Sequence, residues 1–215
     1  MGGIVRTSSL LSFALVFNAY YKNVIGFVVL TIAPRSLPDT KETISMDKQE
    51  IELQLPRDGT LVLKPATDGD GQFLLSVYAS TRADELAQVK WQEGQQEAFV
   101  KWQFELQRRE YDARFPDAEY YVILIDNCPA GRIWIGTDAE QIRLLDIALL
   151  PEFQNRGAGT LLLRRLIDQA ESTNKPLRHM VFVLNNDAHR FYERLGFKII
   201  EDLGAYKHME WRPVA

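Results

Sequence analysis

The apolar positions of this chain recur with two periods, and the switches between them mark its elements. Residues 60–67 alternate and predict a first strand that ends around Pro65. Asp68 and Asp70 can cap the helix that follows, in which Phe73, Leu74, Val77 and Tyr78 recur at helical spacing. A second helix is predicted over 95–109. Phe99, Trp102 and Leu106 share one of its faces, and Glu97, Lys101, Glu105 and Arg108 form a solvated opposite face. Alternation returns at 120–125 and 131–136, two strands joined by a turn that opens at Asp126-Asn127. A strand over 141–149 runs into a glycine-rich turn. The helix beyond it carries Leu162, Leu163, Leu166, Ile167 and Ala170 on one face and Arg164, Arg165, Asp168 and Gln169 on the other, and stops at Asn174-Lys175-Pro176. Residues 179–184 are almost continuously apolar, as in the buried middle of a sheet. A last helix follows Asn185 and ends at Gly196, and two strands near 198–201 and 206–211 close the pattern.

Composition narrows the class. The chain has 215 residues, of which 46% are hydrophobic and 25% charged, with a formal net charge of −4. No basic stripe marks a nucleic-acid binder. Cys128 is the only cysteine, which rules out an intrachain disulfide and a cysteine metal site and agrees with a reducing, cytoplasmic compartment. His179, His189 and His208 show no metal-ligand spacing and read as ordinary packed or surface residues, so no metal is expected.

The start of the chain reads differently. Residues 9–33 are mostly apolar, and Arg6 precedes a run like that of a signal peptide, without a clean cleavage site. As a membrane span the segment is flawed, because a central Lys22 costs roughly 2.5–3.5 kcal/mol on insertion. Two readings stand level: a weak membrane anchor, or a start at Met46 with the upstream residues not part of the native protein. Residues 1–59 are therefore read as an extension ending in a polar linker, and residues 60–215 as one catalytic domain.

The turn after the 141–149 strand holds the chemistry. Gly157 and Gly159 precede a helix whose first N–H groups and positive dipole end point at the turn, a seat for phosphate. A Walker loop would need a lysine after Gly159, and a dinucleotide fingerprint a third glycine in place of Leu162. Gln/Arg-x-x-Gly-x-Gly/Ala does fit, through Gln154, Gly157 and Gly159. This turn resembles the pyrophosphate loop of the GNAT (Gcn5-related) acyl-CoA N-acyltransferases. A second stretch of that family, Asn-x-x-Ala-x-x-x-Tyr-x-x-x-Gly-Phe, is matched at Asn185, Ala188, Tyr192, Gly196 and Phe197. The opening of the domain, Leu61 to Asp70, is also similar to GNAT domains.

The resemblance covers about residues 60–213 and implies a mixed α/β fold. Its centre is a mostly antiparallel sheet with one splayed parallel strand pair, flanked by helices. It implies acetyl transfer from acetyl-CoA to a primary amine by direct attack. Backbone groups of Ile147, Ala148 and Leu149 would pair with the pantetheine arm. An N–H near Ala148 or Leu149 would polarise the thioester carbonyl. Amides of Gln154, Asn155, Arg156, Gly157, Ala158, Gly159 and Thr160 would hold the pyrophosphate. Tyr192 would protonate the departing thiolate, and Asn185 would contact the pantetheine arm, cap a helix, or both. The glutamate that some members carry twelve residues before the tyrosine is Met180 here. Asp146, which interrupts an apolar strand, is then the candidate base, with a purely structural role as the alternative. Arg82, Asp84, Glu85 and Trp91 are weaker candidates for the acceptor wall. The competing class is an acyl-CoA-binding regulatory domain, attached to a membrane if residues 9–33 are retained. Acceptor identity and oligomeric state are not encoded in any motif.

Overall fold

The structure, a computed structural model, describes residues 49–56 and 59–213. In chain order the elements are β1 (Ile51–Gln54), β2 (Thr60–Pro65), α1 (Gly71–Ser80), α2 (Ala83–Leu86), α3 (Gln95–Arg114), β3 (Glu119–Ile125), β4 (Cys128–Thr137), β5 (Ile142–Leu149), α4 (Ala158–Ser172), β6 (Leu177–Phe182), α5 (Asn186–Arg194), β7 (Lys198–Asp202) and β8 (Tyr206–Trp211). One sheet takes all eight strands in the order β1-β2-β3-β4-β5-β6-β8-β7. Neighbours run antiparallel except β5 and β6, which are parallel. This is the mixed sheet with one parallel pair expected from the sequence.

The alternation of each strand sends side chains to two cores. On one face, Leu162, Leu163, Leu166 and Ala170 of α4 and Tyr192 of α5 pack with Leu61, Ile123, Ile133 and Leu144 of the sheet. On the other face, Leu74 and Tyr78 of α1, Leu86 of α2 and Val100 and Phe104 of α3 pack over Val122. Entry into α1 is fixed locally. The Thr67 amide donates to Asp70 Oδ2 at 2.8 Å, and Lys64 Nζ contacts Asp70 Oδ1 at 2.7 Å. The phrase Lys64-Pro65-Ala66-Thr67 thus closes on Asp70 before the helix begins.

Four elements depart from the sequence pattern. Ile51–Gln54 lies within the stretch read as linker and forms β1, because its short alternation finds a partner in β2. Ala83–Leu86 forms a short helix between the two predicted ones. The second helix continues to Arg114, since Tyr111 in its last turn packs edge-on against Trp134 at 4.9 Å. β6 covers Leu177–Phe182 rather than 179–184, and Leu184, apolar but 73% exposed, lies beyond the strand. Among the described residues no helix is long and apolar enough to cross a membrane. Residues 9–33 and Met46 lie outside the described residues.

Candidate active site

The site begins where the parallel pair comes apart. β5 and β6 share only the register pairs Ile142–Leu177, Arg143–Arg178 and Leu144–His179. Beyond them the strands separate while β5 stays paired with β4 as far as Leu149. A β-bulge opposite Trp134 and Ile135 leaves Leu145 without a partner on β4 and bends β5 at the point of separation. The carbonyls freed at this fork are captured by side chains. The Leu144 carbonyl lies 2.7 Å from His179 Nδ1, and the Leu145 carbonyl accepts from the Tyr111 hydroxyl at 3.3 Å. Burial pushes the His179 pKa down to about 4, so the ring is neutral at pH 7 and Nδ1 carries the donated proton.

Asp146 follows the bulge and stands at the throat of the fork. It is an ion-paired carboxylate: Arg132 Nε approaches Oδ2 at 2.6 Å, the guanidinium side chain only 2% exposed and the carboxylate side chain 21%. Arg132 also reaches the Leu74 carbonyl and Gln107 Oε1, each at 3.5 Å, and lies 5.4 Å from the centre of the Tyr78 ring. Burial alone opposes the charge of Arg132. Asp146, with the hydroxyls of Tyr120, Tyr111 and Tyr78, outweighs that and raises its pKa. The carboxylate of Asp146 is felt on both sides of the sheet. After burial, it is a cause of the raised pKa of Tyr111 and of Tyr192.

Tyr192 enters from α5. Its ring is 3% exposed, 4.8 Å from His179 and edge-on to Phe197 at 5.3 Å. Burial, then Asp146, pushes the phenol well above its ordinary range, so it holds its proton at neutral pH. Asn185 caps α5, its side chain accepting from the Ala188 amide at 3.0 Å. Two neighbouring histidines have settled roles: His179 closes the fork, and His189 Nε2 lies 3.1 Å from the Phe182 carbonyl.

The glycine turn lies at the far end of β5. Asn155 and Gly157 take positive φ, 60° and 89°, and α4 begins immediately after. Among the described residues no backbone carbonyl outside the helices and strands accepts from the N–H groups of residues 155–160, and those of 158–160 open α4 and so lack an acceptor within the helix, whereas Leu161 closes the first helical bond on Gly157. Gln154 differs from the others. Its amide is taken by the Pro151 carbonyl at 3.2 Å, and its side chain donates to the Leu149 carbonyl at 2.9 Å. It therefore ties the turn to β5 and does not add its amide to the row. Below the turn, Gly131 of β4 faces β5 so closely that a Cβ would lie 2.2 Å from the Ala148 carbonyl oxygen. Only glycine lets β4 support Ala148 at that distance.

The weaker candidates resolve into local structure. Arg82 pairs with Glu85 at 3.1 Å, and Trp91 donates to the Leu86 carbonyl at 2.8 Å. Conversely, Arg132, Tyr111 and His179 belong to the site though sequence reasoning passed over them. Arg132 had a visible signal, a charge inside the apolar run of β4. Tyr111 and His179 had none beyond their residue type.

Residues 83–197, more than half the chain, match the sequence model of the acetyltransferase (GNAT) family. The chain belongs to the GNAT family. Two curated GNAT-type relatives illustrate the distance. An uncharacterized N-acetyltransferase of Bacillus subtilis, CgeE, is 27% identical over 78 residues, covering 36% of this chain and 30% of that protein. An uncharacterized N-acetyltransferase of Methanocaldococcus jannaschii, MJ1207, is 28% identical over 109 residues, 46% of each protein. The chain thus spans less than half the length of these relatives. Among solved structures, the fold matches that of the PaiA N-acetyltransferase from Thermoplasma acidophilum, crystallised with coenzyme A. The TM-score is 0.55 and the identity 21%, over 71% of this chain and 98% of that one. An acetyltransferase from Thermus thermophilus gives a TM-score of 0.53 and 24% identity over 72% and 97%.

Proposed function

We propose that this GNAT protein transfers an acetyl group from acetyl-CoA to a primary amine. The observation that carries the reading is the fork. β5 keeps its β4 partner but loses β6 after Leu144, which leaves an open strand edge in line with a row of amides at residues 155–160 that take no backbone acceptor among the described residues. An extended pantetheine arm suits that edge at Ile147, Ala148 and Leu149, and a pyrophosphate suits the amide row at the positive end of α4. An N–H at Ala148 or Leu149 then polarises the thioester carbonyl.

In this mechanism the amine nitrogen attacks the thioester carbon, the C–S bond breaks, and Tyr192 gives its proton to the departing sulfur. The residues support that assignment, because burial and Asp146 keep the phenol protonated at neutral pH, so it carries the proton that the departing sulfur takes up. Asp146 takes up, through water, the proton that the acceptor nitrogen loses, with Arg132 fixing its position. Asn185 shapes the approach to the arm by holding the start of α5.

The test is an acceptor screen that detects free CoA, run beside a calorimetric titration of acetyl-CoA. Binding with amine-dependent CoA release is the expected result. Binding with no release from any amine class would make the chain an acyl-CoA-binding domain, and absence of binding would overturn the reading. Asp146→Asn should lower kcat by about tenfold or more while acetyl-CoA affinity holds.

A further inference from the structure

Arg143 is a half-buried guanidinium without an ion-pair partner among the described residues. It belongs to the register pair just before the last one of the fork. Its guanidinium lies 5.8 Å from the centre of the Phe115 ring at the end of α3, which places it on the α3 face of the sheet. Its Nε is buried without a hydrogen-bond partner. No ion pair between described residues includes it.

The surroundings make this worse. The register sets Arg178 directly beside Arg143 on β6, and side chains at paired positions leave a sheet on the same face. Burial first, and then the charge of Arg178, lowers the pKa of Arg143, and the charge of Asp138 offsets only part of this. His208 is lowered by burial and by both arginines. The carboxylates of this region also serve other groups. Asp138 accepts from the amides of Glu140 and Gln141 at 2.8 and 2.9 Å. Glu210 is shared by Arg178, at 2.7 Å, and Arg212. Asp146 holds Arg132, and Glu201 faces His208 at 3.8 Å. A half-buried cation beside a like charge is costly, and such costs persist at sites where a ligand completes the charge balance.

We propose that Arg143, with Arg178 beside it, forms an anion subsite below the fork that binds a carboxylate carried by the amine acceptor; this rests on the acyl-transfer reading above. A guanidinium matches a planar carboxylate through two parallel N–H donors. The phosphates of CoA do not suit this place, because they are assigned to the turn beyond the opposite end of β5. Between Arg143 and Ala148 lies about 16 Å of strand at the usual rise per residue. The reacting amine and the carboxylate then belong on one molecule, separated by several methylenes. The acceptor class is therefore an ω-amino acid or an equivalent lysine-like amine with an anionic end.

The experiment compares 6-aminohexanoate with hexylamine, by calorimetry on the full chain with and without CoA. The expected result is about tenfold tighter binding of 6-aminohexanoate, reduced to near parity in Arg143→Gln. Arg143→Met, which fills similar volume without the charge, replaces that variant should it not fold. Equal affinities in the wild type, or a preference undiminished in the variant, overturn the proposal. Acetyl-CoA is titrated in the same series. Failure of that binding counts against the acyl-transfer reading, while the carboxylate preference is judged on its own outcome.

Discussion

At the scale of the residue, the site depends on groups whose charge state is set by burial. Tyr192 must be protonated to act as an acid, and its surroundings enforce this. Tyr192→Phe keeps the ring packed between His179 and Phe197 and removes only the hydroxyl. We expect kcat to fall by about 10²-fold with acetyl-CoA affinity nearly unchanged. Equal turnover in single-turnover assays would remove Tyr192 from the mechanism. His179 makes a different statement, about stability. Its pKa is about 4 when folded against 6.5 ordinarily. Above pH 6.5 neither state binds the proton. Between about 6.5 and 4 the unfolded chain takes it up and the folded one does not, so stability falls as pH drops through that window. The loss approaches about 3 kcal/mol at most. His208, also lowered, acts in the same direction. Urea midpoints at pH 7 and pH 4.5 should therefore differ, and His179→Gln should narrow the difference.

At the scale of the element, the decisive features are the end of one strand pairing and the start of one helix. The turn before α4 was legible because glycine at a strand–helix junction has few other reasons to be there. Structure adds that the two glycines do different work. Gly157 has φ of 89°, and a Cβ would meet Pro56 Cγ at 3.3 Å, so Gly157→Ala should cost about 1–2 kcal/mol in urea unfolding. Gly159 is helical, and a Cβ there meets only Phe191 Cζ at 3.6 Å. Gly159→Ala should leave stability level or slightly higher, yet weaken acetyl-CoA binding by crowding the amide row. If both variants lose stability alike, this division of roles is wrong. The fork itself was inferred through family resemblance. A strand reads as alternation whether or not its neighbour stays alongside, and the bulge at Leu145 leaves the sequence looking like one unbroken run. The Arg132–Asp146 pair was half legible. Each charge interrupts an apolar strand, but their meeting depends on the cross-strand register set by that same bulge.

At the scale of the whole molecule, the two cores lie on opposite faces of one sheet, and the fork is where both faces meet solvent chemistry. The eight strands and five helices among the described residues begin at Ile51. The boundary drawn at residue 60 from composition excluded β1, because Ile51–Gln54 is too short and too interrupted by charge to register as a strand without β2 beside it. That placement has a consequence for the extension. Leu55 is buried in the α4-side core, and its amide donates to the Gly59 carbonyl at 2.9 Å, so the β1–β2 hairpin is integral to the domain. Pro56 in the same hairpin lies beside the glycine turn, 3.3 Å from where a Cβ on Gly157 would stand. A chain that starts at Met46 keeps this hairpin, and one that starts at residue 60 does not. The Met46 chain should match the full chain in melting temperature and acetyl-CoA affinity. The shorter chain should lose stability through the exposed β2 edge and the emptied Leu55 site, by about 2 kcal/mol or more. It should also bind acetyl-CoA more weakly, because the turn before α4 loses Pro56 beside it. Calorimetric melting and titration of the three chains side by side distinguish a dispensable extension from one that contributes to the domain.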